Sequence, residues 1–117
     1  MKTLTLFLTT TPYANENTHT AMQLARAALD NGYAVNLFAS ADGVYNFTQG
    51  QAPKGLPDAG KEFADLIARG LHVELCGTCL TFRGISPDRQ LPGSAPSSMK
   101  RLFGLMKSSD VFITLGS

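Results

Sequence analysis

The chain has 117 residues, room for one hydrophobic core but not two. Hydrophobic residues make up 44% of it and charged residues 16%, a balance that argues against disorder. A net charge of +1 with no basic run gives nucleic acid or an anionic membrane nothing to grip, and no stretch is long enough to span a bilayer.

Leu4, Leu6 and Leu8 alternate with threonines, with Phe7 on the other face, and predict a strand of central character. The apolar run is short, threonine-interrupted and without a small-residue cleavage site, so it is read as a strand and not as a secretory leader. A reducing cytoplasm is therefore the expected setting. Two cysteines are too few for a disulfide scaffold and are better suited to chemistry. The Asn46-Phe47-Thr48 sequon carries no meaning without secretion.

Thr9-Thr10-Thr11-Pro12 breaks the strand, and Asn17 or Thr18 caps the next helix. Its inner face is Ala21, Leu24, Ala25 and Ala28, and Gly32 closes it in a left-handed cap. Tyr33 to Ala39 predicts a second strand that ends in an Asp42-Gly43 turn. Residues 48–60, with three glycines and two prolines, read as an exposed loop. Asp58 caps a short helix with Phe63, Leu66 and Ile67 facing inward. Leu71, Val73 and Leu75 form a third strand, with Cys76-Gly77-Thr78-Cys79 at its carboxyl end and a short helix after it. Residues 86–97 read as loop or weak strand. Ser97 or Ser98 caps a last helix whose Met99, Leu102, Phe103 and Met106 fall at helical spacing, with core packing as their expected use. Asp110 then precedes a final strand, Val111 to Leu115.

Strands alternating with helices predict an α/β fold, a mainly parallel sheet with helices on both faces. In such sheets reactive groups gather beyond the carboxyl ends of the strands. Three segments converge there: Thr9 to Tyr13, Ser40 to Asn46, and Cys76 to Arg83.

Cys76 stands where a strand hands over to a helix, and backbone N–H groups at a helix start favour an anion. Gly77 allows a tight turn and leaves the sulfur uncrowded, and Arg83 brings positive charge nearby. An accessible thiolate at this point attacks a sulfane sulfur and holds it as a persulfide. The competing reading is a buried core cysteine. Cys79 completes a C-x-x-C, which has three readings: a redox dithiol, half a metal site, or a reactive cysteine with a resolving neighbour. A structural zinc site wants four ligands, and only these thiols with His19 and His72 are on offer, so no metal is expected. His72 and Glu74 share strand parity with Cys76, either as a general base beside the thiol or as a polar strand face. The hydroxyl-rich loop after the first strand resembles a flavin phosphate loop. It lacks a turn glycine, Glu16 would repel phosphate, and no later aromatic pair would sandwich a flavin. No cofactor is expected.

Three ordered segments carry a family resemblance: Pro12-Tyr13 with Ala21-Met22-Gln23-Leu24-Ala25; Asp42-Gly43-Val44-Tyr45-Asn46; and Cys76 with Arg83-Gly84-Ile85. Together they resemble the DsrE/DsrF-like sulfur-relay proteins, most closely the DsrE and TusD branch. The resemblance implies a single DsrE-like domain over residues 1–117, built as a flavodoxin-like three-layer sandwich on a sheet of about four to five strands. It also implies a homotrimer or hexamer, alone or beside related subunits, and a cysteine that takes persulfide sulfur from a donor protein and passes it to an acceptor. That sulfur serves transfer-RNA thiolation or dissimilatory sulfur oxidation. By position the family's reactive cysteine falls on Cys76, which makes Cys79 an auxiliary or resolving thiol. TusD-like chains follow the cysteine with small apolar residues and a double arginine, where this chain has Gly77-Thr78-Cys79 and Phe82-Arg83. Two other functions stay open: a non-catalytic docking subunit of a relay complex, and a dithiol oxidoreductase.

Overall fold

The computed structural model describes residues 2–116. Its strands are β1 (Thr3–Leu8), β2 (Ala34–Ala39), β3 (His72–Cys76), β4 (Ser94–Ser97) and β5 (Val111–Leu115). Its α-helices are α1 (Asn17–Asp30), α2 (Ala59–Ala68), α3 (Gly77–Phe82) and α4 (Met99–Ser108). The strands pair in parallel in the order β4-β3-β2-β1-β5. The expected three-layer α/β sandwich is present, with this order in place of flavodoxin's own 2-1-3-4-5.

Strand parity distributes the core. Leu4, Leu6, Leu8, Val35, Leu37, Val73 and Leu75 point to one face, where Ala21, Met22 and Ala25 of α1 and Phe63 and Leu66 of α2 cover them. Phe7, Phe38, Cys76 and Phe112 point to the other, beneath Leu102 and Leu105 of α4. Right-handed crossovers account for the division. From β1 to β3 the chain advances across the sheet in one direction, so α1 and α2 share a face. The last crossover jumps back past β1 to β5, and its helix lands on the other face.

Two caps follow the sequence directly: Asp58 accepts from the Lys61 N–H, and Ser98 from the Arg101 N–H. The start of α1 differs. Neither Asn17 nor Thr18 caps it; the Asn15 side chain accepts from the Asn17 N–H at 2.9 Å. The Asp42-Gly43 turn is a longer 3-10 segment, Ala41–Phe47. Gly43 is required there, because a Cβ would lie 2.2 Å from the Leu8 carbonyl oxygen.

The apolar spacing of α4 is a second correction. Leu102 and Leu105 are buried, whereas Met99, Phe103 and Met106 are 45%, 59% and 42% exposed. The helix carries two apolar stripes, and only one meets the sheet. The sequon asparagine, Asn46, is fully buried: its amide donates to the Thr10 and Gly43 carbonyls while its oxygen accepts from Thr18 Oγ1. It thereby ties together two of the three rim segments and the start of α1. Among the described residues no helix is long and apolar enough to cross a membrane.

Candidate functional site

Both cysteines lie at the carboxyl rim, as expected, but their exposures do not match the expectation. Cys76, the last residue of β3, points toward α4 and is 7% exposed, packed with Phe38, Leu102 and Leu105. An open, uncrowded sulfur was expected at this position. It is covered by a helix that comes from some 25 residues later in the chain. Cys76 also stands at the head of α3, which is only six residues long, and its side chain caps nothing.

Cys79 lies one turn on and is half-buried, packed against the group that holds Cys76. Its sulfur accepts the Ala41 N–H at 3.2 Å and lies 3.6 Å from Ser40 Oγ. Ala41 has φ of +50°. A left-handed alanine is uncommon and strained, and such strain collects at functional sites. Here it opens the 3-10 segment and directs an amide hydrogen at sulfur. The Ser40 backbone is fixed on both sides, donating its N–H to the Leu8 carbonyl at 3.0 Å and accepting from the Gly43 N–H at 2.9 Å. Arg83 is held by Asp42, Nε to Oδ1 at 3.0 Å and Nη2 to Oδ1 at 2.9 Å, and its Nη1 reaches the Cys79 carbonyl at 3.3 Å.

These contacts act on the thiol in opposite senses. Burial pushes the Cys79 thiol up, while the neighbouring Cys76 thiol, the Ser40 hydroxyl, the Ala41 N–H and the Arg83 charge all favour its thiolate. The net direction is down. A half-exposed thiol with fixed donors and a depressed pKa has the character of a nucleophile.

The expected parity of His72, Glu74 and Cys76 holds, but Glu74 is not free to act as a base. Its nearly buried carboxylate takes Arg101 Nη2 on Oε2 at 2.7 Å and Nε on Oε1 at 3.2 Å. His72 Nε2 meets Oε2 at 2.7 Å, and the Ser97 hydroxyl donates to Oε1. The Arg101 hydrogen bonds, opposed by burial and reinforced by Ser97 and His72, hold Glu74 down at about 2. The cluster fastens α4 and β4 onto β3, immediately beside Cys76. His19 lies apart, in an open cavity of about 310 Å³ with Tyr13, Glu16, Met22, Leu56 and Pro57. No group of three or more metal-ligating side chains occurs among the described residues.

On the other side of α3 from the thiol's donors, an open groove of about 480 Å³ runs along Gly77, Thr78, Thr81, Phe82, Ile85 and Pro96, and neither cysteine lines it. Phe82 is 82% exposed at its lip. Sequence reasoning brought Cys76, Cys79 and Arg83 together. It missed Ser40 and Ala41 as partners of the thiol, because nothing about an alanine announces a left-handed backbone.

A family model described as the DsrE/DsrF-like family matches residues 2–115. The chain is 31% identical over 110 residues to MJ0989, an uncharacterised protein of Methanocaldococcus jannaschii, covering 94% of this chain and 96% of that one. It is 32% identical over 107 residues to MK0008, an uncharacterised protein of Methanopyrus kandleri, covering 92% and 88%. Among solved structures, the ychN protein of E. coli superposes with a TM-score of 0.91 at 26% identity, over 97% of this chain and 99% of that one. The MTH1491 protein of Methanobacterium thermoautotrophicum shares the fold, with a TM-score of 0.79 at 12% identity, over 97% and 99%.

Proposed function

The chain belongs to the DsrE/DsrF-like family, and on that premise we propose that it is a sulfur carrier that accepts sulfane sulfur as a persulfide on its Cys76–Cys79 pair and passes it to a partner protein. The observation that carries this reading is the built environment of the pair: an amide hydrogen and a hydroxyl set against the Cys79 sulfur at the rim of the sheet, with the Arg83 guanidinium on the same residue's carbonyl.

The chemistry needs no cofactor. A thiolate of the pair attacks the outer sulfur of a donor persulfide, the new S–S bond forms as the old one breaks, and the donor departs as its thiolate. With thiosulfate the leaving group is sulfite. Transfer onward is the same step reversed, with the acceptor's thiolate attacking the outer sulfur and the carrier thiolate leaving. The sulfane sulfur keeps its oxidation level throughout, so no external oxidant or reductant enters. Phe82 and its groove present apolar surface on the short helix that carries Cys79, suited to packing against a donor or acceptor protein.

Incubating the reduced protein with thiosulfate or polysulfide and measuring its intact mass tests the reading. A gain of about 32 Da that dithiothreitol removes is expected. No gain with any sulfane donor refutes it.

A second element of the reading is self-association. Met99, Phe103 and Met106 form an apolar stripe in solvent on α4. Single exposed apolar residues are ordinary on a monomer, but a contiguous stripe of this kind marks an interface. It is the surface on which copies of the chain meet.

A further inference from the structure

Within the carrier reading, on which this inference rests, we propose that sulfur lands on Cys79 and not on Cys76, and that Ser40 and the Ala41 N–H form the cradle that holds the Cys79 thiolate ready.

Access is the first ground. Attack on a donor requires the donor's sulfur to approach the thiolate in line with the bond that breaks, which needs open space on one side of the sulfur. Cys76 is 7% exposed and roofed by Leu102 and Leu105, whereas Cys79 is half-buried.

Donors are the second ground. The Cys79 sulfur is met at 3.2 Å by the Ala41 N–H and at 3.6 Å by the Ser40 hydroxyl, whose backbone is itself fixed at both ends. The side chain of Cys76 receives no bond from the head of α3. The strained backbone at Ala41 is the third ground, because its left-handed turn is what aims the amide at the sulfur. An N–H and a hydroxyl set to receive negative charge stabilise the thiolate before attack. They serve again when the thiolate leaves during transfer onward. Arg83, anchored by Asp42 and bonded to the Cys79 carbonyl, adds positive charge nearby.

Cys76 takes a supporting part. It packs beside Cys79 within the same apolar cluster. In the loaded state the reaction is Cys79–S⁻ with R–S–SH giving Cys79–S–SH and R–S⁻, which balances without any change at Cys76.

The test uses single-cysteine proteins and the mass assay above. Cys76→Ser is expected to gain about 32 Da from thiosulfate or polysulfide, and Cys79→Ser to gain nothing. A gain retained by Cys79→Ser and lost from Cys76→Ser overturns the assignment while leaving the carrier reading intact. No gain on wild type removes the carrier reading itself. Any other distribution of the label between the two variants also overturns the assignment. Because serine in the buried Cys76 position risks misfolding, Cys76→Ala is assayed in parallel. Iodoacetamide supplies an independent readout: at pH 7 the single Cys79 protein is expected to react at least about fivefold faster than the single Cys76 protein. Ser40→Ala should slow the former by about threefold and leave the latter unchanged. Equal alkylation rates, or insensitivity of Cys79 to Ser40→Ala, overturn the cradle.

Discussion

Replacing Glu74 by glutamine tests how α4 is held over the site. Glutamine keeps the shape and one acceptor for Ser97 but removes the charge that Arg101 clasps. The carboxyl falls from 4.5 to about 2 on folding, which corresponds to about 3 kcal/mol of stability at neutral pH. Arg101 keeps 60% of its side chain in water, so solvent screening trims the expectation to about 2 kcal/mol. The sign follows from the direction of the change. A folded-state value below the unfolded one gives a contribution fully present above the unfolded value of 4.5 and lost as pH falls toward 2. Urea denaturation of wild type and Glu74→Gln at intervals from pH 7 to pH 2 reads this out. The gap between their stabilities should be about 2 kcal/mol at pH 7, shrink below pH 4.5, and close near pH 2. A gap independent of pH, or none at pH 7, refutes the claim that an ionised Glu74 secures the helix.

Two further changes probe other parts of the structure. Gly43→Ala drives a Cβ against the Leu8 carbonyl oxygen at 2.2 Å; the backbone must move, and thermal unfolding should register a loss of about 2–3 kcal/mol. Light scattering of Phe103→Glu should show a smaller assembly than wild type, with the secondary structure by circular dichroism unchanged, because Phe103 is 59% exposed in the single chain. An unchanged assembly mass removes α4 from the interface.

The fold was legible wherever one short stretch decided it. Alternation fixed the faces of β1 and β3, and Asp58 and Ser98 announced the starts of α2 and α4 by their own hydrogen bonds. The start of α1 was not legible, because Asn15, Glu16, Asn17 and Thr18 are a run of near-equivalent polar residues and only the three-dimensional chain selects Asn15. The inner face of α4 failed for a related reason. Helical spacing reveals that a stripe exists, but two stripes compete on this helix. The narrow aromatic bed of Phe7, Phe38 and Phe112 admits Leu102 and Leu105 alone. At the site, the proximity of the two cysteines followed from their spacing, but their exposures did not. What roofs Cys76 arrives from α4, and what cradles Cys79 arrives from the end of β2, and neither is visible in the Cys-Gly-Thr-Cys tetrad itself.

The two margins of the sheet are unequal in what they offer a newcomer. On one side the outermost strand, β4, is four residues long and includes Pro96, whose ring nitrogen has no hydrogen to give. On the other, β5 is five residues long and free of proline. Lateral growth of this sheet, whether in an assembly or in a misfolded aggregate, is therefore favoured at β5 over β4.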